Sequence, residues 1–203
     1  MPSLFRWTLV LAAILCCQAI GAAQPPATAP ASFHITGIDG HDYQPLTVAP
    51  HRAAVLVFVL QDCPICNGYA PQIERLADEF GRQGVGFYVI HVDPSISREA
   101  AIQHAKAYGY KIPVLVDRRH DVVIRLGIEI APTAVVLGAD GTLQYKGRID
   151  DLYAAIGKPR TVATTHDLRD AIVTVLAGKP IDAKQTRSVG CAVPDLPAPA
   201  AEK

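Results

Sequence analysis

The sequence predicts an α/β sandwich built on a central sheet, and three observations carry that reading. Short apolar runs of strand length alternate with segments of helical periodicity. One run, residues 53–60, is apolar throughout, as a strand buried on both faces must be. Most of the 203 residues fit one domain with a sizeable core, because neither an internal repeat nor a second hydrophobic core is evident.

Each element follows in order. Residues 33–36 and 42–46 read as a short hairpin around Asp39-Gly40. After the central strand at 53–60, residues 64–80 place Ile65, Tyr69, Ile73, Leu76 and Phe80 at the spacing of one helical face. Residues 85–92 are strand-like, 97–108 helix-like and 114–116 a short strand, while 120–126 suits a helical turn or short helix. Residues 133–137 and 143–146 flank Ala139-Asp140-Gly141, a hairpin turn. Residues 165–177 close the domain as a helix, with Asp167 in its first turn and Gly178, Lys179 and Pro180 beyond its end.

The ends differ in composition from this middle. Residues 1–23 read as a secretory signal: Arg6 supplies the positive charge, residues 9–17 the apolar run, and Gly21-Ala22-Ala23 the small residues before a cut near Gln24. A retained anchor is the alternative, but the run is shorter than the roughly 20 residues a spanning helix needs. Cys16 and Cys17 lack the small preceding residues of a lipidation site. A periplasmic or other extracytoplasmic location follows. Residues 24–32, rich in Pro, Ala and Thr, are expected to be a flexible linker. Residues 33–180 form the domain, and residues 181–203 a C-terminal tail containing Cys191, linker-like from 192 on. Cleavage removes Arg6 and no acidic residue, leaving 18 basic against 19 acidic side chains. That balance argues against a nucleic-acid or anionic-membrane partner held by charge.

Cleavage also leaves three cysteines, Cys63, Cys66 and Cys191. Cys63-Pro64-Ile65-Cys66 stands where the central strand hands over to a helix. Unpaired N–H groups and the helix dipole at such a terminus favour thiolate, and lower a cysteine pKa from about 8.5 to between roughly 3.5 and 7.5. Cys63 is therefore the expected nucleophile and Cys66, one turn on, the resolving thiol. Two thiolates and a histidine also suit Cu(I) or Zn. The seven histidines show no ligand spacing, however, and His91, at the end of a strand, reads as a packed structural residue.

The motifs in this order resemble the thioredoxin superfamily, in particular its secreted TlpA-like redoxin branch, over about residues 33–177. The dithiol follows the central strand, and Pro71 stands five residues after Cys66. Residues 126–137 (Leu-Gly-Ile-Glu-Ile-Ala-Pro-Thr-Ala-Val-Val-Leu) with Asp140-Gly141 are similar to the family's cis-proline segment and following hairpin. Residues 92–117 are similar to the helix and strand that TlpA-like proteins insert. The resemblance implies a thioredoxin-like three-layer α/β/α sandwich with an N-terminal β-hairpin. It implies a cis Ala131-Pro132 bond beside the dithiol, with substrate held by Ala131, Pro132, Pro64 and Ile65. It also implies a thiol-disulfide oxidoreductase with no cofactor beyond the Cys63-Cys66 disulfide, acting on protein disulfides. The direction stays open: a reductase needs an electron donor, for which a membrane protein is expected, and an oxidase needs an acceptor.

Departures from the pattern narrow the reading. Asp62 replaces the Trp that commonly precedes the first cysteine; a carboxylate there opposes the thiolate if it points inward, and by itself predicts a higher Cys63 pKa and a more reducing pair. The buried acid of thioredoxins would fall near Val57 and is missing, so Glu74 and Asp62 are considered as proton acceptors for Cys66. A thiol peroxidase of the AhpC/TSA type ranks second: such enzymes carry Thr where Leu60 stands, and their resolving thiol is not three residues on. A Cu(I)-binding or redox-sensing module ranks third, since copper-delivering relatives space their thiols as CxxxC. Arg148, Asp150, Asp151 and Arg169 read as surface charges that pair with one another. A monomer is expected, with Cys191 left to pair with another chain, to stay reduced, or to join the dithiol if the tail folds back to within about 6 Å of Cys63, Cα to Cα.

Overall fold

In the computed structural model, residues 33–181 and 184–197 are described, all within the unit Ser32–Lys203. The expected signal peptide and the whole of the expected linker lie outside them. Asp39 and Gly40 turn the chain between β1 (Ile35–Thr36) and β2 (Asp42–Tyr43): the Asp39 carboxylate accepts the His41 N–H at 3.0 Å, and Gly40 takes φ 87°. The apolar run then forms β3 (Ala53–Val59), every residue of which is buried. A strand dry on both sides is the centre of a layered fold, not one wall of it.

From the end of β3 the chain enters α1 (Pro64–Gly81), which buries Ile65, Tyr69, Ile73, Leu76 and Phe80. These are the residues the helical spacing selects. Pro71 lies within α1. Next come β4 (Val85–His91), α2 (Arg98–Tyr108), β5 (Val114–Val116) and α3 (Asp121–Leu126). Ser97 caps α2 by accepting the Ala100 N–H at 3.0 Å, and Gly109 ends it in the left-handed region at φ 72°. Asp117, 3% exposed, does the same for α3 with both carboxylate oxygens, accepting the N–H groups of Asp121, Val122 and Val123 at 2.9 Å each.

The remaining elements are β6 (Ile130–Ala131), β7 (Thr133–Gly138), β8 (Leu143–Gly147), β9 (Tyr153–Ala155), β10 (Lys158–Pro159), α4 (Asp167–Leu176) and β11 (Cys191–Ala192). Five strands make the central sheet in the order β5-β4-β3-β7-β8, with β3, β4 and β5 parallel and β7 and β8 antiparallel to their neighbours. This is the expected mixed α/β sandwich with its N-terminal hairpin. On one face α1 and α4 are joined by the Arg169–Glu79 ion pair at 2.7 Å, with the guanidinium 5.8 Å from the centre of the Phe80 ring. No helix among the described residues is long and apolar enough to cross a membrane.

The tail, whose folding back the sequence left open, lies along the domain from Lys184 to Val193, and residues 191 and 192 are in a strand. Its seat is built from backbone pairing that has no periodic signature in the sequence. The charged set pairs differently than expected. Arg148 makes a two-pronged ion pair with Asp167 (2.9 and 3.1 Å), and Arg169 reaches Glu79. Asp150 and Asp151 are each only 6% exposed. Asp150 accepts the Tyr69 hydroxyl at 2.6 Å and the Leu152 N–H at 2.8 Å, while Asp151 accepts the N–H groups of Thr164 and Thr165 at 2.6 and 3.0 Å. Buried acceptors tie loops down more firmly than solvated pairs do.

Asp117→Ala leaves three helix-start N–H groups without their acceptor, and the expected loss is about 1–3 kcal/mol. Urea unfolding followed by circular dichroism measures it; a midpoint equal to the parent's would show that α3 does not depend on this cap.

Candidate functional site

The register of β3 against β7 assembles the site. Phe58 stands opposite Thr133 in that antiparallel pair. Residues just after β3 therefore meet residues just before β7, and the dithiol comes to lie beside Ala131 and Pro132. The Ala131-Pro132 bond is cis, as the resemblance implies. Cys63 Sγ lies 3.6 Å from the Ala131 carbonyl oxygen.

Cys63 is the residue that caps α1, in extended backbone (φ −91°, ψ 110°), and Pro64 opens the helix. Proline suits that position because its missing N–H would have had no helical partner. The N–H groups of Ile65 and Cys66 remain, and they point at the Cys63 sulfur as at any anion held at a helix start. The Cys66 thiol is the largest influence holding the Cys63 pKa down. The Cys191 thiol and the two amides add to it, and together they overcome burial to bring Cys63 to about 5. Asp62 is exposed and is not among the leading influences on Cys63, so its carboxylate does not cancel the lowering expected of a helix start. Cys66 is fully buried, and that desolvation, followed by the facing Cys63, pushes its thiol far above the ordinary range. The Leu60 N–H donates to Cys66 Sγ at 3.5 Å.

Cys191 completes a group of three. β11 pairs antiparallel with β6, Cys191 opposite Ala131 and Ala192 opposite Ile130, and the Val193 N–H donates to the Glu129 carbonyl at 2.9 Å. Cys191 Sγ is 2.7 Å from Cys63 Sγ. Burial first, and then Cys63, push the Cys191 thiol up to about 11. Of the residues expected to hold substrate, Ala131 and Pro132 are buried, Ile65 is 5% exposed, and only Pro64 faces solvent. The Ala131 edge is filled by the chain's own tail.

Neither Glu74 nor Asp62 is placed as a proton acceptor for Cys66. Glu74 accepts the Lys111 N–H at 3.0 Å, and Asp62 is a solvent-facing charge. Val57 is fully buried among apolar neighbours, in line with the missing acid. Behind the dithiol instead lies a set of which the sequence singled out only His91. Asn67 donates to the Gln61 carbonyl at 2.9 Å, and its amide oxygen is 2.9 Å from His104 Nε2, so it braces the loop that carries both thiols. His104 stacks edge-on against His91, ring centres 4.8 Å apart. Burial, and then His104, push His91 down to about 3, which keeps it neutral. His91 is packed as expected, but neither of its ring nitrogens has a hydrogen-bond partner among the described residues. Among the described residues no group of three or more His, Cys, Asp or Glu is placed to hold a metal ion.

An open groove of about 950 Å³ runs beside the tail, lined by Lys146, Arg148, Arg160 and Arg187 together with Glu129 and Asp151. It does not reach Cys63 or Cys66. The chemistry belongs at the three sulfurs, and the groove flanks the strand that covers them.

The chain is similar to several known proteins. The thiol-disulfide oxidoreductase ResA of Halalkalibacterium halodurans is 26% identical over 82 residues, 40% of this chain and 45% of that protein, so the likeness spans less than half of the relative's length. A hypothetical protein of Sinorhizobium meliloti superposes with a TM-score of 0.69 at 26% identity, covering 79% of this chain and 89% of that one. An uncharacterized conserved protein of Geobacillus kaustophilus does so with a TM-score of 0.71 at 26% identity, covering 82% and 90%. Residues 24–154 match the redoxin family over well over half of the sequence, and the chain, with its dithiol at the head of α1 and its cis proline before β7, belongs to that family of the thioredoxin superfamily.

Proposed function

We propose that this redoxin protein is a thiol-disulfide oxidoreductase of the cell envelope that uses the Cys63-Pro64-Ile65-Cys66 dithiol to reduce disulfides of envelope proteins. The observation that carries the reading is the Cys63 sulfur, held as thiolate at a helix start 3.6 Å from the Ala131 carbonyl. A relative named as a thiol-disulfide oxidoreductase supports it. The signal read from residues 1–23 supports the location, and a membrane protein on the outer side of the same membrane is the proposed source of electrons.

The chemistry is an exchange in two steps. The Cys63 thiolate attacks one sulfur of the substrate disulfide, forming a mixed disulfide and releasing the first substrate thiolate. A second thiol of the protein then loses its proton and attacks Cys63 Sγ, which frees the other substrate thiolate and leaves the protein with a disulfide. Two electrons pass from dithiol to substrate, and no cofactor takes part. Stabilising the thiolate stabilises the reduced protein, so the potential should lie above that of thioredoxin.

Four outcomes are expected. Absorbance of reduced protein at 240 nm should be low in acid and rise through a midpoint near pH 5 as Cys63 ionises. Cys66→Ala removes the largest stabilising contact, so the midpoint should move up toward the ordinary value of about 8.5. The reduction potential of the dithiol should fall between about −270 and −180 mV, and a less negative value would turn the direction to oxidation. The reduced protein should cleave insulin disulfides, and Cys63→Ser should abolish that. Consumption of hydrogen peroxide without insulin reduction would replace this reading with the peroxidase.

A further inference from the structure

We propose that Cys191 is a third redox thiol of this site, and that a disulfide taken from a substrate passes through a Cys63–Cys191 bond before it reaches Cys66. This rests on the preceding reading only in taking Cys63 as the nucleophile.

The tail is held in a built seat. The Lys146 N–H donates to the Lys184 carbonyl at 2.9 Å, and the Thr186 N–H returns to the Lys146 carbonyl at 3.1 Å. The Thr186 hydroxyl meets the buried Tyr145 hydroxyl at 2.6 Å and accepts the Arg148 N–H at 3.1 Å. Thr133 donates to the Ser188 hydroxyl at 2.8 Å. Two glycines make the approach feasible. A Cβ on Gly147 would run into the backbone of Thr186, and one on Gly190 would run into the Ala131 carbonyl oxygen. Within this seat Cys191 pairs with Ala131 as a substrate strand would pair with the same edge, and its sulfur touches Cys63 Sγ at 2.7 Å.

Burial and charge then decide which thiol resolves first. Cys66 is fully buried, with no exposed route for its proton. Cys191 is only partly buried, and part of what raises its pKa is the facing Cys63. That contribution disappears once the Cys63 sulfur is tied up in a mixed disulfide. Cys191 is therefore the easier of the two to ionise at that moment, and the thiolate is the attacking form.

A protein substrate and β11 compete for one backbone edge. When the tail returns after the first attack, it displaces the substrate strand and delivers Cys191 to Cys63. Cys191 gives its proton to solvent, its thiolate attacks Cys63 Sγ, the Cys63–Cys191 bond forms, and the substrate thiolate leaves and takes up a proton. Cys66 then loses its proton and attacks Cys63 Sγ, forming Cys63–Cys66 and releasing the Cys191 thiolate, which is reprotonated. Nothing beyond the substrate disulfide is consumed.

Oxidised glutathione serves as the probe. Added to reduced Cys66→Ser protein, it should leave a Cys63–Cys191 crosslink in non-reducing peptide maps and no glutathione on Cys63. Cys66→Ser with Cys191→Ser should keep the adduct. In protein that retains Cys66, Cys191→Ser should slow release of glutathione from Cys63 by at least about tenfold. Cys66→Ser with Gly190→Val keeps Cys63 and Cys191 but blocks the seat, and at unchanged far-ultraviolet dichroism it should behave like the variant lacking Cys191. A persistent adduct in Cys66→Ser alone, a dimer linked through Cys191, unchanged release in Cys191→Ser, or a crosslink formed equally fast with Gly190→Val would each overturn the proposal. A protein that forms the crosslink yet leaves insulin intact would sink the oxidoreductase reading and leave the third thiol standing.

Discussion

The pairing of β3 with β7 is the constraint on which the site depends. Its register sets Phe58 opposite Thr133, and everything chemical lies one to several residues beyond that pair. On the β3 side the chain leaves the sheet at Leu60 and reaches Cys63; on the β7 side it arrives from Ala131 and Pro132. A slip of one residue would turn every buried side chain of β3 to the opposite face. With seven buried residues on β3 and six on β7, that cost fixes the register and hence the separation of Cys63 from the Ala131 carbonyl.

On this frame three sulfurs at different depths acquire different proton affinities. Cys63 gains from two helix-start amides and two neighbouring thiols, whereas Cys66 loses its solvent almost entirely. Cys191, the most exposed of the three, lies between them in proton affinity. The same thiols that stabilise a Cys63 thiolate donate to it, so each effect is the counterpart of another. The gradient runs from a sulfur that is ionised at neutral pH to one that is not, and disulfide exchange uses that order.

Much of the fold was legible in the sequence because its elements carry period. The unbroken apolar run of β3, the spacing of Ile65, Tyr69, Ile73, Leu76 and Phe80, and the Asp140-Gly141 turn are local signals, and each element formed where they place it. The dithiol and the cis proline were legible as motifs. β6, β9, β10 and β11 were not, being two or three residues long, too short for alternation to show. The lowered Cys63 pKa was legible from its place at a helix start, but the share owed to the thiols was not, because one of them is 128 residues away. Gly147 and Gly190 read as ordinary glycines until the backbone that approaches them is known.

The sheet's two outer strands are also covered by the described segments near either end. Gly37 bridges to Leu115 on β5, where the Ile38 N–H donates to the Val114 carbonyl at 2.9 Å, and Gln185 bridges to Lys146 on β8. Unpaired strand edges are templates for pairing with other molecules. The segment that brings Cys191 to the site thus also shields β8, so a protein whose tail lifts to admit a substrate briefly offers a bare edge to its neighbours. If the tail moves in turnover as proposed, the same ten residues, 184–193, link redox turnover to exposure of that edge.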